Sequence, residues 1–296
     1  MKKKPPELLD MFYPSDPDGL RSVASRTGYC HDLPALPAIQ NLPAAILVPH
    51  GAYQSVLPVV RQMFNTVSDL QPRHIVLMAS LHREILTEDA GSFLFLPMWE
   101  FFETPLGDLP VDTTTRDRLL ASFPPVPQAI TLRNSYFLEE NCFEPLFPLI
   151  QMFFPVIPVL PILGAWQNGI QDQYAVSALQ SLLHMDTHTL FIIVSNISDY
   201  TACDQAVGQA YASVGFLANG DLDRKLPSGS PHGMCGSSWV RAIDTLAGET
   251  TGNWHTGWVC SSGRVAAPSL EKVLEKDPIK PIIQETWCIG AMKEWR

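Results

Sequence analysis

No stretch of about 18 consecutive apolar residues occurs in the 296-residue sequence, so no membrane-spanning helix is expected. The longest apolar run, FFPVIPVLPIL (153–163), is broken by prolines. The basic opening MKKKPPELLD leads into no apolar stretch of signal-peptide length. Cys30, Cys142, Cys203, Cys235, Cys260 and Cys288 are scattered and form no CxxC pair, so a disulfide framework is not expected. A cytoplasmic protein with reduced thiols is the plain expectation. Cations are scarce: Lys+Arg is 20 against 30 Asp+Glu, a formal charge of −10. A surface that acidic repels phosphate backbones and anionic lipid, which argues against nucleic acid and membranes as partners. GxGxxG, Walker A and HExxH patterns are absent, and GSSW (236–239) lacks the elbow of a serine hydrolase. There is no internal repeat, low-complexity block or linker, so residues 1–296 are expected to form one domain.

What is present points to a packed α/β protein. Hydrophobic residues make up 46% and charged residues 17%, enough to bury a core and too apolar for a disordered chain. Short apolar, β-branched runs predict strands at Ala45–Val48, His74–Ala79, Ser92–Leu96, Ala129–Leu132, Ile157–Leu163, Thr189–Val194, Trp254–Cys260 and Thr286–Met292. Between them, helices are predicted over Ser55–Thr66, Thr114–Ser122, Phe143–Phe153, Asp172–His184, Asp204–Asn219 and Cys235–Leu246. Apolar strands alternating with helices predict a three-layer α/β fold, with a largely buried, mixed central sheet and helices on both faces. In such sheets ligands sit beyond the strand ends.

Candidate chemistry therefore starts at the strand ends. His50 follows AILVP, and His82 follows HIVLMASL. Cys235, in HGMCG, stands at a predicted helix start, where the helix dipole and backbone N–H groups favour thiolate. Two imidazoles and a thiolate are a soft donor set suited to iron, copper or zinc. Each residue also has a bland reading: a hydrogen-bonded structural histidine, or a cysteine that only packs. His232, three residues before Cys235, could add a fourth donor. His31, His184, His188 and His255 read as surface or structural, and Trp99, Phe101 and Phe102 as packing residues.

Eight segments, in order, resemble the Memo family, known in prokaryotes as AmmeMemoRadiSam system protein B. MFYPSDPDGL (11–20) is similar to F-Y-P-x-x-P-x-x-L, and ILVPHGAY (46–53) to P-H-A-G-Y with Gly and Ala exchanged. HIVLMASLHRE (74–84) resembles a strand ending in G-P-S-H-H. ETPLGDLPVD (103–112) resembles T-P-L-G-x-x-x-x-D, the most specific of the eight. EENCFEPLFPLIQ (139–151) is similar to E-x-H-S-x-E-x-x-L-P-x-L, and VIPVLPILGA (156–165) to I-V-P-I-L-V-G. VSNISDY (194–200) resembles S-S-D-F-S-H-Y, and MCGSSWV (234–240) resembles C-G-x-x-P-I. The resemblance implies a fold like that of class III extradiol dioxygenases, which hold non-haem Fe(II) with two histidines and a carboxylate. It also implies a Memo-type pocket of two histidines and a cysteine, which falls on His50, His82 and Cys235. Fe(II) or copper, ahead of zinc, is the implied cofactor. The system name further implies radical-SAM and AMMECR1-type partners.

Departures from the family pattern bear on activity. Arg83 stands for the second histidine of the His-His pair, Asn141 for the histidine of E-x-H-S, and Asn196 and Asp199 for the Asp and His of S-S-D-F-S-H-Y. Asparagine cannot replace imidazole as a general acid–base. Asp199 could act as a substitute ligand or as a loop residue, and Arg83 could meet an acidic ligand or a surface carboxylate. Cys142, at a family serine, could face the same crevice. Read as helical, Glu140 and Glu144 share a face. Glu144, at the family glutamate, is expected either to hold a ligand histidine's ring in place or to serve as an acid at the helix start. Two functions follow from these residues: a metal-dependent redox or oxygen-handling enzyme, or a non-catalytic scaffold binding a small molecule or peptide. A third possibility is a thiol protein with Cys235 as nucleophile.

Overall fold

The computed structural model describes residues 2–25, 39–122, 129–138, 140–165, 172–220, 233–248, 252–262, 264–267 and 284–295. Among these, the elements run β1 (Lys3–Lys4), α1 (Pro17–Ser25), β2 (Ala45–Val48), α2 (Tyr53–Val67), β3 (His74–Ser80), β4 (Leu94–Leu96), β5 (Phe101–Thr104), β6 (Gly107–Pro110), α3 (Thr113–Ser122), β7 (Ile130–Leu132) and α4 (Ser135–Leu138). They continue with α5 (Leu146–Phe153), β8 (Val159–Gly164), α6 (Asp172–Met185), β9 (Thr189–Val194), α7 (Cys203–Asn219), α8 (Ser237–Leu246), β10 (His255–Ser261), β11 (Arg264–Ala267) and β12 (Trp287–Lys293). No helix among the described residues is long and apolar enough to cross a membrane.

A nine-stranded sheet in the order β11-β10-β12-β2-β9-β3-β8-β4-β7 forms the middle layer. Its centre, β2-β9-β3-β8, is parallel, and β10, β11 and β12 add antiparallel strands on one side. On the other side β4 runs antiparallel to β8 and parallel to β7, so the sheet is mixed. Successive strand residues point to opposite faces, and both sets are apolar. Ile46, Val48, Ile75, Leu77, Ile192 and Val194 face α2 and α5, while Leu47, Val76, Met78, Phe191 and Ile193 face α6, α7 and α8. Covering both faces explains why these strands read as unbroken apolar runs, and it makes the three-layer α/β architecture that the pattern predicts.

β9 lies between β2 and β3 although it follows both in the chain. A crevice opens at such a reversal of strand order, beyond the carboxyl ends of the strands. His50 follows β2, His82 follows β3, and Ser195 and Asn196 follow β9, so the fold delivers all four to one end of the sheet.

A separate three-stranded sheet, β1-β5-β6, holds the most family-specific motif. In TPLG (104–107), Thr104 Oγ1 accepts the Leu106 N–H at 3.0 Å and donates to the Gly107 carbonyl at 2.9 Å. Gly107 has φ +104, a backbone geometry that favours glycine. The motif's Asp112 accepts the Thr115 N–H at the start of α3 (2.9 Å) and lies 2.6 Å from His74 Nδ1. His74 begins β3 and His82 follows its other end, so this signature builds the scaffold at the far side of the sheet from the crevice.

One local expectation is corrected. The helix predicted over Phe143–Phe153 begins only at Leu146, and Glu140–Pro145 is irregular. Pro145 disfavours helical geometry at the residue before it. Glu140 and Glu144 therefore do not share a helix face and go to different places.

Candidate functional site

His50, His82 and Cys235 come together. The donor atoms His Nδ1 or Nε2 and Cys Sγ of these residues lie within 4.8 Å of one another. Cys235 Sγ is 3.7 Å from His50 Nε2, and the two imidazole rings are 5.3 Å apart at an interplanar angle of 52°. A sulfur at about 2.3 Å and a nitrogen at about 2.0 Å from one tetrahedral ion are about 3.5 Å apart, so the spacing suits a shared metal.

Local packing sets each donor. Cys235 precedes Gly236, the N-cap of α8, and the Gly236 N–H donates to Ser195 Oγ at 2.8 Å. A Cβ on Gly236 would stand 2.7 Å from Ser195 Cβ, so only glycine lets α8 start this close to β9. Ser195 Oγ is 3.4 Å from Cys235 Sγ, and Ser80 Oγ donates to the Cys235 carbonyl. The His50 N–H donates to Asn196 Oδ1 at 3.2 Å, which fixes the loop that follows β2. The Glu140 carboxylate holds His82 twice, accepting its backbone N–H at 3.0 Å and lying 3.1 Å from Nδ1. With Nδ1–H donating to Glu140, Nε2 is the ring nitrogen left for a metal. This carboxylate–imidazole pairing is what orients a metal-ligating histidine.

Electrostatics agree with the geometry. Burial pushes the Cys235 thiol up, but hydrogen bonds and charge from His50 and His82 outweigh it and hold the group well below the usual thiol range. His82 is raised to about 10, first by its hydrogen bond to Cys235 and then by Glu140. Burial opposes ionisation of Glu140, yet its contacts with His82 keep it below the ordinary value. Both shifts run in the direction that favours a thiolate beside a protonated imidazole.

The other expected residues divide. Arg83 and Asn141 line the same crevice as His50, His82 and Glu140, a pocket of about 330 Å³. The Arg83 guanidinium sits 5.7 Å from the Tyr136 ring centre. Asn196 is buried and acts through its contact with the His50 backbone. Asp199 is exposed and accepts from Gln209 Nε2 at 2.8 Å, and the three-donor group at the crevice does not include it.

Glu144 is not placed to hold a ligand histidine. Its carboxylate accepts from Lys4 Nζ at 2.6 Å, from the Glu7 and Leu8 N–H groups at 2.8 and 2.7 Å, and from Tyr13 Oη at 3.1 Å, tying down the N-terminal segment. Glu140, four residues earlier, is the carboxylate on His82. Cys142 is buried beside it, donating to Glu140 Oε1 at 3.1 Å, and burial with the Glu140 charge pushes its thiol well above the usual range. His82, Glu140 and Cys142 form a second group of possible ligands, but the Cys142 thiol and His82 Nδ1 both engage the Glu140 carboxylate. Ser195 was legible only as part of VSNISDY, and Ser80 only as part of HIVLMASLHRE. His31 and His232 lie outside the described residues.

The family model described as Memo-like protein matches residues 4–214, a span that holds His50, His82 and Glu140 and stops before Cys235. No curated protein matches the chain.

Proposed function

The chain belongs to the Memo-like protein family, and from that premise we propose that it binds one first-row metal ion, iron or copper ahead of zinc, through His50, His82 and Cys235, for redox or oxygen-dependent chemistry. The observation that carries this reading is the meeting of two imidazoles and one thiolate within 4.8 Å from three distant parts of the chain. The donor set fits such an ion. Three protein ligands leave a coordination position for substrate, and mixed nitrogen and sulfur donors suit iron and copper. When bound, that ion supplies one-electron exchange at an open coordination position.

The chain's own residues do the rest. Glu140 fixes the His82 tautomer by accepting its Nδ1 proton. Ser195 and the start of α8 hold the thiolate in place. Arg83 and Asn141 at the rim offer a cation and an amide to an anionic or polar ligand entering the 330 Å³ crevice. With asparagine at 141 and 196, His82 and its Glu140 partner are one proton-holding pair left in the crevice.

The same reading takes residues 1–296 as one Memo-like domain of extradiol-dioxygenase-like fold in a cytoplasmic setting, with a small molecule or peptide as ligand. For radical-SAM and AMMECR1-type partners, the family resemblance is the sole support. A second reading is a non-catalytic scaffold on the same fold, with Arg83 anchoring an acidic ligand; the half-buried guanidinium lining the crevice favours it.

Metal analysis tests the first reading. The purified chain, loaded with Fe(II) or Cu and desalted, is expected to retain about one equivalent, as one three-donor site requires. His82→Ala and Cys235→Ala are expected to retain almost none. Undiminished uptake by both variants would reject the site.

A further inference from the structure

Two cysteines outside the donor set face each other across the sheet. Cys260 on β10 and Cys288 on β12 are direct register partners in an antiparallel pair. Opposed residues in such a ladder have Cα atoms about 4.5 to 5.5 Å apart, with both side chains on one face. A disulfide needs a Cα separation of about 4.4 to 6.8 Å, so the backbone is already set for one. Both side chains are buried in the same core. Cys142, Cys203 and Cys235 instead engage Glu140, Glu285 and His50 respectively. Among the described residues, no other two cysteines are register partners.

The pair also touches the candidate metal site. The Cys288 thiol donates to Asn196 Oδ1 at 3.4 Å, the same oxygen that accepts the His50 N–H at 3.2 Å. The Cys260 thiol donates to the Ser55 carbonyl at 3.1 Å, in the first turn of α2, which follows the His50 loop.

We propose that Cys260 and Cys288 form a redox-active dithiol that a hydroperoxide closes to a disulfide, and that this change is felt at His50 through Asn196. In the first step Cys260 sulfur attacks the peroxide, its proton passes to the leaving oxygen, and hydrogen peroxide gives Cys260 sulfenic acid and one water. In the second step Cys288 sulfur displaces the sulfenic hydroxyl, which leaves as water with the Cys288 proton. Two thiols lose two electrons in all, and the peroxide is reduced to two waters. The disulfide has no S–H to donate to Asn196 Oδ1, so the carboxamide is left with the His50 N–H and can reorient.

The disulfide step does not depend on the metal-centre reading, because it is tested on chelator-treated protein. The full chain is exposed to one equivalent of hydrogen peroxide, alkylated in denaturant, digested and mapped by mass spectrometry. The expected result is a peptide pair joined through Cys260 and Cys288, two hydrogens lighter than the separate thiols and cleaved by dithiothreitol. The same link is expected in Cys235→Ala, where the candidate metal site is broken. In uniformly labelled protein the His50 amide resonance is expected to shift on oxidation in the wild type and not in Cys260→Ser. Recovery of Cys260 and Cys288 as alkylated thiols, or as sulfinic acids, would overturn the proposal. A linked pair with an unmoved His50 resonance would overturn the coupling.

Discussion

Glu140 carries a role that its residue type alone did not disclose. Four positions separate it from Glu144, and both are buried carboxylates. One meets His82 and the other Lys4, because Pro145 keeps the segment between them out of a helix. Removing the negative charge while keeping the shape tests the assignment. Glu140→Gln is expected to weaken metal binding by about 10- to 100-fold, the usual effect of losing the partner that orients a ligand histidine. Competition titration against a chromophoric chelator reads this, and an affinity within twofold of wild type would remove Glu140 from the site. The Cys235 shift gives a second expectation, with the sign fixed by its direction. A lowered thiol value means the thiolate persists as pH falls. In metal-free protein, the Cys235 alkylation rate should fall much less between pH 8 and pH 6 than that of an ordinary thiol, which slows by about 100-fold over that interval. A rate that drops in that ordinary way would mean that His50 and His82 do not hold the thiolate. Sequence made His50, His82 and Cys235 visible as candidates because each ends or precedes a regular element. It left the choice between ligand and structural residue open, since that choice rests on distances between residues far apart in the chain.

At the scale of elements, the parallel strands were legible because each is buried on both faces and so reads as an unbroken apolar run. Ala45–Val48 and Thr189–Val194 match expectation to the residue, and β3 extends it by Ser80. β1 was not legible. Lys3–Lys4 has no strand pattern, and its pairing with β5 joins residues about 100 apart, with Lys3 opposite Phe101. What fixes β1 is a buried ion pair, Lys4 to Glu144, with both side chains about 95% covered. Lys4→Met would leave the Glu144 carboxylate without its cation and is expected to destabilise the chain by about 3 to 5 kcal/mol in denaturant unfolding. Metal retention by the folded fraction should be unchanged, because Glu144 is bonded to Lys4, Glu7, Leu8 and Tyr13 and to none of the three candidate ligands. A cost below about 1 kcal/mol, the range of an exposed pair, would mean that the pair is not buried in solution. The TPLG segment teaches the same lesson in reverse. Its specificity as a motif comes from a turn that needs Gly107 at positive φ and from Asp112 at the start of α3, so a highly specific pattern marked folding rather than chemistry.

For the molecule as a whole, the order of strands decides what can meet. Placing β9 between β2 and β3 opens a crevice where the residues following three strands converge, and α8 begins directly above it. The three-layer architecture was legible from the alternation of strands and helices. The crevice was legible only as a general property of such sheets, because the sequence does not state that β9 inserts between its predecessors. The family model ends at residue 214, so Cys235 enters the site through the fold. The net charge of −10 favours the approach of cations over anions at long range, which leaves Arg83 as a local exception at the rim. X-ray absorption at the metal edge, on protein loaded with one equivalent of iron or copper, tests the central claim most directly. The account predicts a coordination shell with one sulfur and two imidazole nitrogens. A shell of oxygen and nitrogen alone in the wild type would contradict it.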